Sequence, residues 1–283
     1  MNILTIARFT IQEAISRRLI LAGSLLSLAF IGLFALGFFL IYQNDSQLSG
    51  PLSDAQEQAA FGTIMTVLGL YAINFLAGFL ALFLSVGAIS GEIDSGALHA
   101  VLARPLRRAE FVIGRWLAYA GLSSVYVGLM AGSLLLSARL ISGYTTPDPV
   151  RATLLMMLAS IVLLTLSLLG STLLSTLANG VVVFSLFGLA WLAGIIEFIG
   201  GVLSNEAMLN VGTTVSLLVP SDAIWRGASY YIQSPIFLAG MNAGEGIPFA
   251  GTAPPATQLV VWGLLYPLVL LGAAIMTFSH RDL

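Results

Sequence analysis

The sequence has no cysteine and no lysine, and it has few charged residues of any kind. Its 283 residues include 11 basic residues, all of them arginine, 13 acidic residues and 2 histidines. The absence of cysteine excludes disulfides, thiolate nucleophiles and Cys-ligated metal sites. The absence of lysine excludes a Walker A loop, which needs a lysine to reach the nucleotide phosphates. A function driven by ATP therefore requires a separate ATPase chain.

The shortage of charge also predicts the class of protein. Charged residues make up 8% of the chain and hydrophobic residues 58%, whereas a soluble domain carries about 25% charged residues. The net charge of −2 offers no basic surface for nucleic acid. We therefore expect an integral membrane protein that does not bind nucleic acid.

Long apolar segments predict an all-α protein with six transmembrane helices in a single domain, residues 1–283. A hydrocarbon core about 30 Å thick is crossed by about 20 helical residues. The turn Ala178-Asn179-Gly180 is predicted to divide the long uncharged run into spans four and five. The predicted spans are Leu19–Tyr42, Phe61–Ala88, Phe111–Ser137, Thr153–Leu177, Val181–Gly200 and Gln258–Phe278.

The arginines are distributed unequally between the two sides of these spans. Arginines near span ends mark the cytoplasmic side of a membrane protein, so both termini and the 89–110 loop are predicted to be cytoplasmic, in the inner (plasma) membrane. One side holds Arg8, Arg17, Arg18, Arg104, Arg107, Arg108, Arg115 and Arg281, and the other holds Arg139, Arg151 and Arg226.

Two segments outside the spans have helical patterns. Residues 2–18 predict an amphipathic helix in the membrane interface, as an alternative to a plain extension of span one. Its apolar positions are Leu4, Ala7, Ile11, Ala14 and Ile15.

The external segment 201–257 predicts two short helices, Asn205–Leu218 and Ser221–Ile232. They either dip into the outer leaflet or form a surface cap. Trp225, Tyr230 and Tyr231 are interpreted as residues of the aromatic belt.

A polar segment, Gly91–Glu110, interrupts the apolar sequence between spans two and three. Its first part, Glu92–Ala103, is compatible with a helix, and Pro105 ends it because the residue before a proline avoids helical backbone angles. Glu92 is predicted to face the cytosol or a partner protein. We interpret the segment as a docking element, although its arginines alone are typical of any cytoplasmic loop.

The polar segment resembles the loop between spans two and three in permease subunits of ABC-2 type ATP-binding-cassette transporters. The C-terminal Phe278 and Arg281-Asp282-Leu283 are similar to the basic-Asp-Leu ending of that family. The chain resembles small stand-alone permeases, including those of the nitrous-oxide-reductase maturation type. Ala97 departs from the threonine that is frequent there, and Ser279-His280 replace part of a more basic run. The matching loop residues are Gly91-Glu92, Ser95-Gly96-Ala97-Leu98, Leu102-Ala103-Arg104-Pro105 and Arg107.

The resemblance implies an exporter in which two permease copies, identical or related, work with two copies of an ABC ATPase. The polar segment would be the coupling helix that this ATPase contacts. ATP and magnesium would bind the ATPase, and this chain would hold no cofactor or metal. The implied coupling residues are Glu92, Ser95, Gly96, Leu98, Leu102, Arg104, Pro105 and Arg107.

Candidates for a transport pathway are Glu197, because a carboxylate within a span is a functional candidate by default, and Asn74, which is equally compatible with helix packing. Glu197 alternatively reaches external water. The two histidines, His99 and His280, lie in cytoplasmic segments, so we expect no catalytic site in this chain. Two alternatives to an exporter remain open. The first is a membrane scaffold that anchors an ATPase without moving substrate, and the second, less favoured, is an ion-coupled carrier.

Overall fold

A computed structural model describes residues 3–16, 18–45, 54–94, 108–240, 247 and 249–280. Their regular secondary structure is entirely α-helical, and six of the helices are long and apolar enough to cross a membrane. These six are α2, α3, α5, α6, α7 and α11. The helices are α1 (Ile3–Ser16), α2 (Arg18–Asp45), α3 (Asp54–Ser85), α4 (Ser90–Asp94), α5 (Arg108–Ser142), α6 (Pro149–Leu173), α7 (Thr176–Val202), α8 (Glu206–Leu218), α9 (Ser221–Tyr230), α10 (Pro235–Gly240) and α11 (Thr257–His280). The prediction of an all-α membrane protein with six spans is confirmed.

Helix α6 is the most enclosed spanning helix, and α2 is the least enclosed. Buried residues make up 56% of the apolar window of α6 but 11% of that of α2. The main core packs α3, α5 and α6 against α9 through residues such as Leu70, Leu134, Met156 and Trp225. A helix that is apolar on all sides is expected to be buried in protein or in lipid. Because α2 has few protein contacts, we expect most of its surface to face lipid.

One end of the bundle, called here the α1 end, is formed by α1 and the helix ends nearest to it. Three contacts define it: Arg115 pairs with Glu13 of α1, Ser90 with Thr176, and Arg108 donates to the carbonyl of Phe278. The α1 end therefore holds α1, α4, the start of α5, the α6–α7 junction and the end of α11. Helices α8, α9 and α10 lie at the opposite end.

The predicted turn at residues 178–180 is wrong. Helix α6 ends at Leu173, and Ser175 is the N-cap of α7, so Asn179 lies in the first turns of α7. Its side chain is fully buried, and Nδ2 donates to the carbonyl oxygens of Val86 at 2.8 Å and Ser167 at 2.9 Å. Asn179 therefore connects α7 to α6 and to the residues that follow α3. The sequence alone does not distinguish a buried asparagine of this kind from a turn residue.

The face of α1 that packs on the bundle also differs from the predicted apolar face. Its buried residues are Ile6, Ala7, Thr10 and Ala14, and a side chain on Gly114 of α5 would contact Ile6. Leu4, Phe9 and Ile15 are instead exposed, at 78%, 60% and 56%. Helix α1 thus has one face for α5 and a second, partly apolar face for its surroundings.

Segment 201–257 contains α8 and α9 near the two predicted short helices, Asn205–Leu218 and Ser221–Ile232, and a third short helix, α10, that was not predicted. The chain direction turns by 105° between α8 and α9. The assignment of Trp225 to an aromatic belt is wrong, because this residue is fully buried. Its indole Nε1 donates to the carbonyl of Phe249 at 2.8 Å, and its ring lies 5.5 Å from that of Tyr71. Trp225 therefore attaches α9 to α3.

Tyr144, in the loop after α5, holds the corner that follows α9. Its hydroxyl donates to the carbonyl of Ile232 at 2.6 Å and accepts from Thr63 at 3.1 Å. Burial raises the pKa of Tyr144 above the ordinary value of a phenol. A side chain on Gly62 would lie 2.7 Å from the Tyr144 Cβ, which explains the glycine at that position.

Candidate functional site

A buried arginine, Arg115, organises the α1 end. It lies on the second turn of α5 and is 5% exposed. Its guanidinium binds the Glu92 carboxylate through Nη2, and the same nitrogen lies 3.7 Å from the Glu13 carboxylate. A buried cation is costly unless it is paired and hydrogen-bonded. Two acidic residues from two different segments meet that requirement here.

Further contacts complete the surroundings of Arg115. Nη1 donates to the carbonyl of Ala88 at 2.6 Å and lies 3.4 Å from the Tyr119 hydroxyl. The guanidinium also lies 4.9 Å from the centre of the Phe111 ring, a distance at which a cation and an aromatic ring attract each other. Arg115, Glu92, Glu13 and Tyr119 are called here the Arg115 network.

The network connects α1, α4 and α5, which carry these four residues. Residues 95–107 join α4 to α5, so Glu92 and Arg115 hold the two ends of that segment together. Arg108 adds a second attachment, because its Nη1 donates to the carbonyls of Phe278 at 3.1 Å and Ser279 at 3.0 Å. The described residues at the two ends of this segment are therefore attached to α1, α5 and α11.

Glu92 is the predicted coupling residue that the structure describes, and its orientation differs from the expectation. It was expected to face the cytosol or a partner, but its side chain is 17% exposed and points to Arg115. Helix α4 begins at Ser90, close to the predicted start. Outside the described residues lie Ser95, Gly96, Leu98, Leu102, Arg104, Pro105 and Arg107. Their contacts with an ATPase stay a prediction.

A second charged cluster, called here the outer cluster, lies at the opposite end. Arg226 of α9 donates to the Glu197 carboxylate of α7 at 2.7 Å and pairs with Asp222, one turn earlier on α9, at 3.1 Å. Its Nη2 also lies 3.4 Å from the Ser216 hydroxyl of α8. The outer cluster thus connects three consecutive helices.

The pathway candidate Glu197 belongs to this cluster, so its carboxylate is held by a cation. Its side chain is 27% exposed. Asn74, the other candidate, is half-buried on α3, and no hydrogen bond among the described residues joins the two. The sequence analysis missed Asp222 and Arg226, although their i, i+4 spacing is typical of a helical ion pair.

The outer cluster fits closely against α7 because of two glycines. A side chain on Gly194 would place its Cβ 2.1 Å from Oδ2 of Asp222, and one on Gly212 would lie 2.5 Å from the Glu197 Cβ. Both distances are impossible for real atoms. Gly194 and Gly212 therefore allow the close approach of α8 and α9 to α7, as small residues do between membrane helices.

Comparison with protein families identifies the class of this bundle. The profile of the ABC-2 family transporter proteins matches residues 4–283, which include the Arg115 network and the outer cluster. The chain belongs to the ABC-2 family of transporter proteins. A search of curated proteins finds no match.

Membership assigns the chain to the permease subunits of ABC transporters. Such a subunit lies in a membrane and associates with an ABC ATPase. Among its described residues, this ABC-2 permease has six helices that are long and apolar enough to cross a membrane. The similarity to the nitrous-oxide-reductase maturation type stays a prediction.

Proposed function

We propose that this ABC-2 permease is an exporter subunit that receives its energy at residues 91–105. The Arg115 network carries this proposal, because it attaches the start of that segment to α1 and α5 through a buried, paired cation. A docked ATPase that pulls or tilts the segment would move these helices with it. Salt bridges inside a low-dielectric site resist separation, since breaking one leaves a buried charge unpaired.

The remaining parts of the proposal follow from the sequence and the family. The α1 end faces the cytoplasm, because the sequence assigns eight of the eleven arginines to the chain segments on that side of the spans, and the membrane is the plasma membrane. Two copies of the permease, identical or related, pair in the membrane and work with two ATPase subunits. The chain itself is not an enzyme and holds no cofactor, and the ATPase binds ATP and magnesium.

A pull-down in mild detergent tests the docking. Tagged full-length permease is expected to co-purify with an ABC ATPase, and Arg104→Glu is expected to weaken this association by about tenfold, the equivalent of about 1.4 kcal/mol. The matched control is Arg139→Glu, in the last turn of α5 and far from residues 91–105. This variant is expected to leave the association with the ATPase unchanged. Absence of an ATPase under several conditions, or equal loss with both variants, would overturn the docking proposal.

A conformational measurement separates a permease from a scaffold. Because the chain has no cysteine, an Asn74→Cys variant carries a single thiol on α3. In a permease that alternates between access states, labelling of this thiol by a maleimide changes when ATP and vanadate are added to the complex. In a scaffold that only anchors the ATPase, the labelling rate stays constant.

A further inference from the structure

An apolar cleft lies between α1, α2, α3 and α5. It is on the side of the bundle formed by α2, the least enclosed of the spanning helices. Its volume is about 180 Å³. The wall on α3 extends from Leu76 to Leu84, which is about 12 Å at a rise of 1.5 Å per residue. This is less than half of a hydrocarbon core about 30 Å thick. The wall also falls in the second half of the spanning stretch Ala59–Glu92, which leads to the α1 end, so the cleft lies in the leaflet at that end.

The cleft is a poor site for water. Among the described lining residues, the hydroxyls of Ser27 and Tyr126 bond to each other at 2.6 Å, and Ser27 also bonds to the carbonyl of Gly23 at 2.7 Å. The third lining hydroxyl, that of Tyr119, lies 3.4 Å from Arg115. A buried water needs two to four polar partners, and an apolar cavity of about 150 Å³ is known to stay dry and to bind a hydrocarbon instead. The occupant of this cleft is therefore apolar.

The cleft opens toward the lipid. Two of its lining residues, Leu26 of α2 and Phe83 of α3, are 60% and 61% exposed. Gly23 of α2 has no atom within 4 Å of the position of a Cβ, which leaves the space between the helices free. The neighbouring residues Leu25 and Leu28 are also exposed, so the surface around the opening is hydrocarbon.

We propose that this cleft binds one acyl chain of a phospholipid from the leaflet at the α1 end. Bilayer lipid is the occupant that the position favours, because acyl chains surround the opening and an empty cleft would forfeit dispersion contacts on its walls. Ala14 of α1 closes the cleft at its interfacial end.

The bound acyl chain would contact the Arg115 network. Tyr119 lines the cleft, and its hydroxyl lies 3.4 Å from Arg115. Ala14, which also lines it, follows Glu13 in α1. Lipid binding requires only that the protein spans a membrane, whereas any effect of the lipid on ATP hydrolysis rests on the proposed function.

Photo-crosslinking tests the site. The full-length permease is reconstituted into nanodiscs of phosphatidylcholine and phosphatidylglycerol that contain a trace of phosphatidylcholine with a diazirine in its acyl chain. After illumination, mass spectrometry locates the adducts. We expect adducts on the cleft face of α3, at Leu76, Leu80 and Leu84, and about fivefold fewer in Gly23→Phe, the equivalent of about 1 kcal/mol.

Two matched pairs of variants make the test specific. Gly32→Phe is the control for Gly23→Phe, because Gly32 is also on α2 with nothing within 4 Å but does not line the cleft. Leu26→Trp blocks the cleft from an exposed position, and Leu25→Trp is its control. Adducts that persist unchanged in both blocking variants, or that fall equally in the controls, would overturn the proposal. Co-purification of the ATPase is measured separately, so failure of docking and failure of lipid binding are distinguishable.

Discussion

At the scale of single residues, two arginines that pack among the described helices each have acidic partners. Arg115 is buried with two carboxylates, and Arg226 is held between Glu197 and Asp222. In lipid or in a protein interior an unpaired charge is expensive. We infer that these two arginines fix the arrangement of helices at the two ends of the bundle.

Removal of the Arg115 charge is expected to destabilise the permease. In Arg115→Met the Glu92 carboxylate and the Ala88 carbonyl lose their donor, which costs about 2 kcal/mol for a hydrogen bond to a charged group. Thermal unfolding in detergent measures the loss. The control is Arg151→Met, because the Arg151 side chain is 66% exposed and pairs only with Asp148 among the described acidic residues. Its effect is expected to be below about 1 kcal/mol. Equal unfolding temperatures for the two variants would contradict the structural role of Arg115.

At the scale of helices, glycines determine which pairs approach closely. The α7–α9 contact depends on Gly194, against which the Asp222 carboxylate lies. Helix α1 docks on α5 over Gly114, where an added Cβ would lie 2.8 Å from Ile6. Both contacts bring a charged cluster together, so their loss has consequences beyond packing.

The α7–α9 contact predicts opposite effects for two glycine substitutions on the same helix. Gly194→Ala is expected to destabilise the permease by about 1–3 kcal/mol, the usual cost of overpacking, because Asp222 and α9 must move away. Gly188→Ala, with nothing within 4 Å, is expected to be neutral or slightly stabilising, since alanine favours a helix by about 1 kcal/mol over glycine. Denaturation in detergent compares them, and a stabilised Gly194→Ala would show that the outer cluster is looser than described.

The docking of α1 on α5 makes a second prediction at this scale. A Gly114→Val substitution is expected to displace α1 and to separate Glu13 from Arg115, which increases the labelling of a single cysteine placed at Thr10, a residue 3% exposed. Gly121→Val on the same helix meets no atom within 4 Å and is expected to leave the labelling rate unchanged. An unchanged rate in Gly114→Val would mean that α1 packs elsewhere.

At the scale of the whole molecule, much of the fold could be predicted from the sequence. Hydropathy locates all six spans because a long apolar run has few alternatives to a membrane helix. The turn predicted at Ala178-Asn179-Gly180 was wrong because Asn179 is a buried helical residue that donates to two carbonyl oxygens. Since these partners are distant in the sequence, the local pattern alone resembles a turn. The buried position of Trp225 and the pairing of Glu92 with Arg115 also depend on tertiary contacts that periodicity does not contain.

The orientation of the bundle gives a prediction that the absence of cysteine makes easy to check. Single cysteines at Ser204, after α7, and at Ser279, near the end of α11, lie at opposite ends. In intact cells a membrane-impermeant maleimide is expected to label the cysteine at 204 and not the one at 279, which becomes reactive after permeabilisation. The reverse pattern would place the α1 end outside and remove the ATPase from its proposed docking site.

The central claim is that energy from a docked ATPase reaches the spans through the Arg115 network. The most direct measurement follows ATP-dependent labelling of the Asn74→Cys thiol in complexes that carry either Arg115 or Arg115→Met, with the bound ATPase quantified in each. Because Arg115 is buried, the account predicts that Arg115→Met retains the ATPase but loses the ATP-dependent change in labelling. An ATP-dependent change of equal size in both complexes would contradict it.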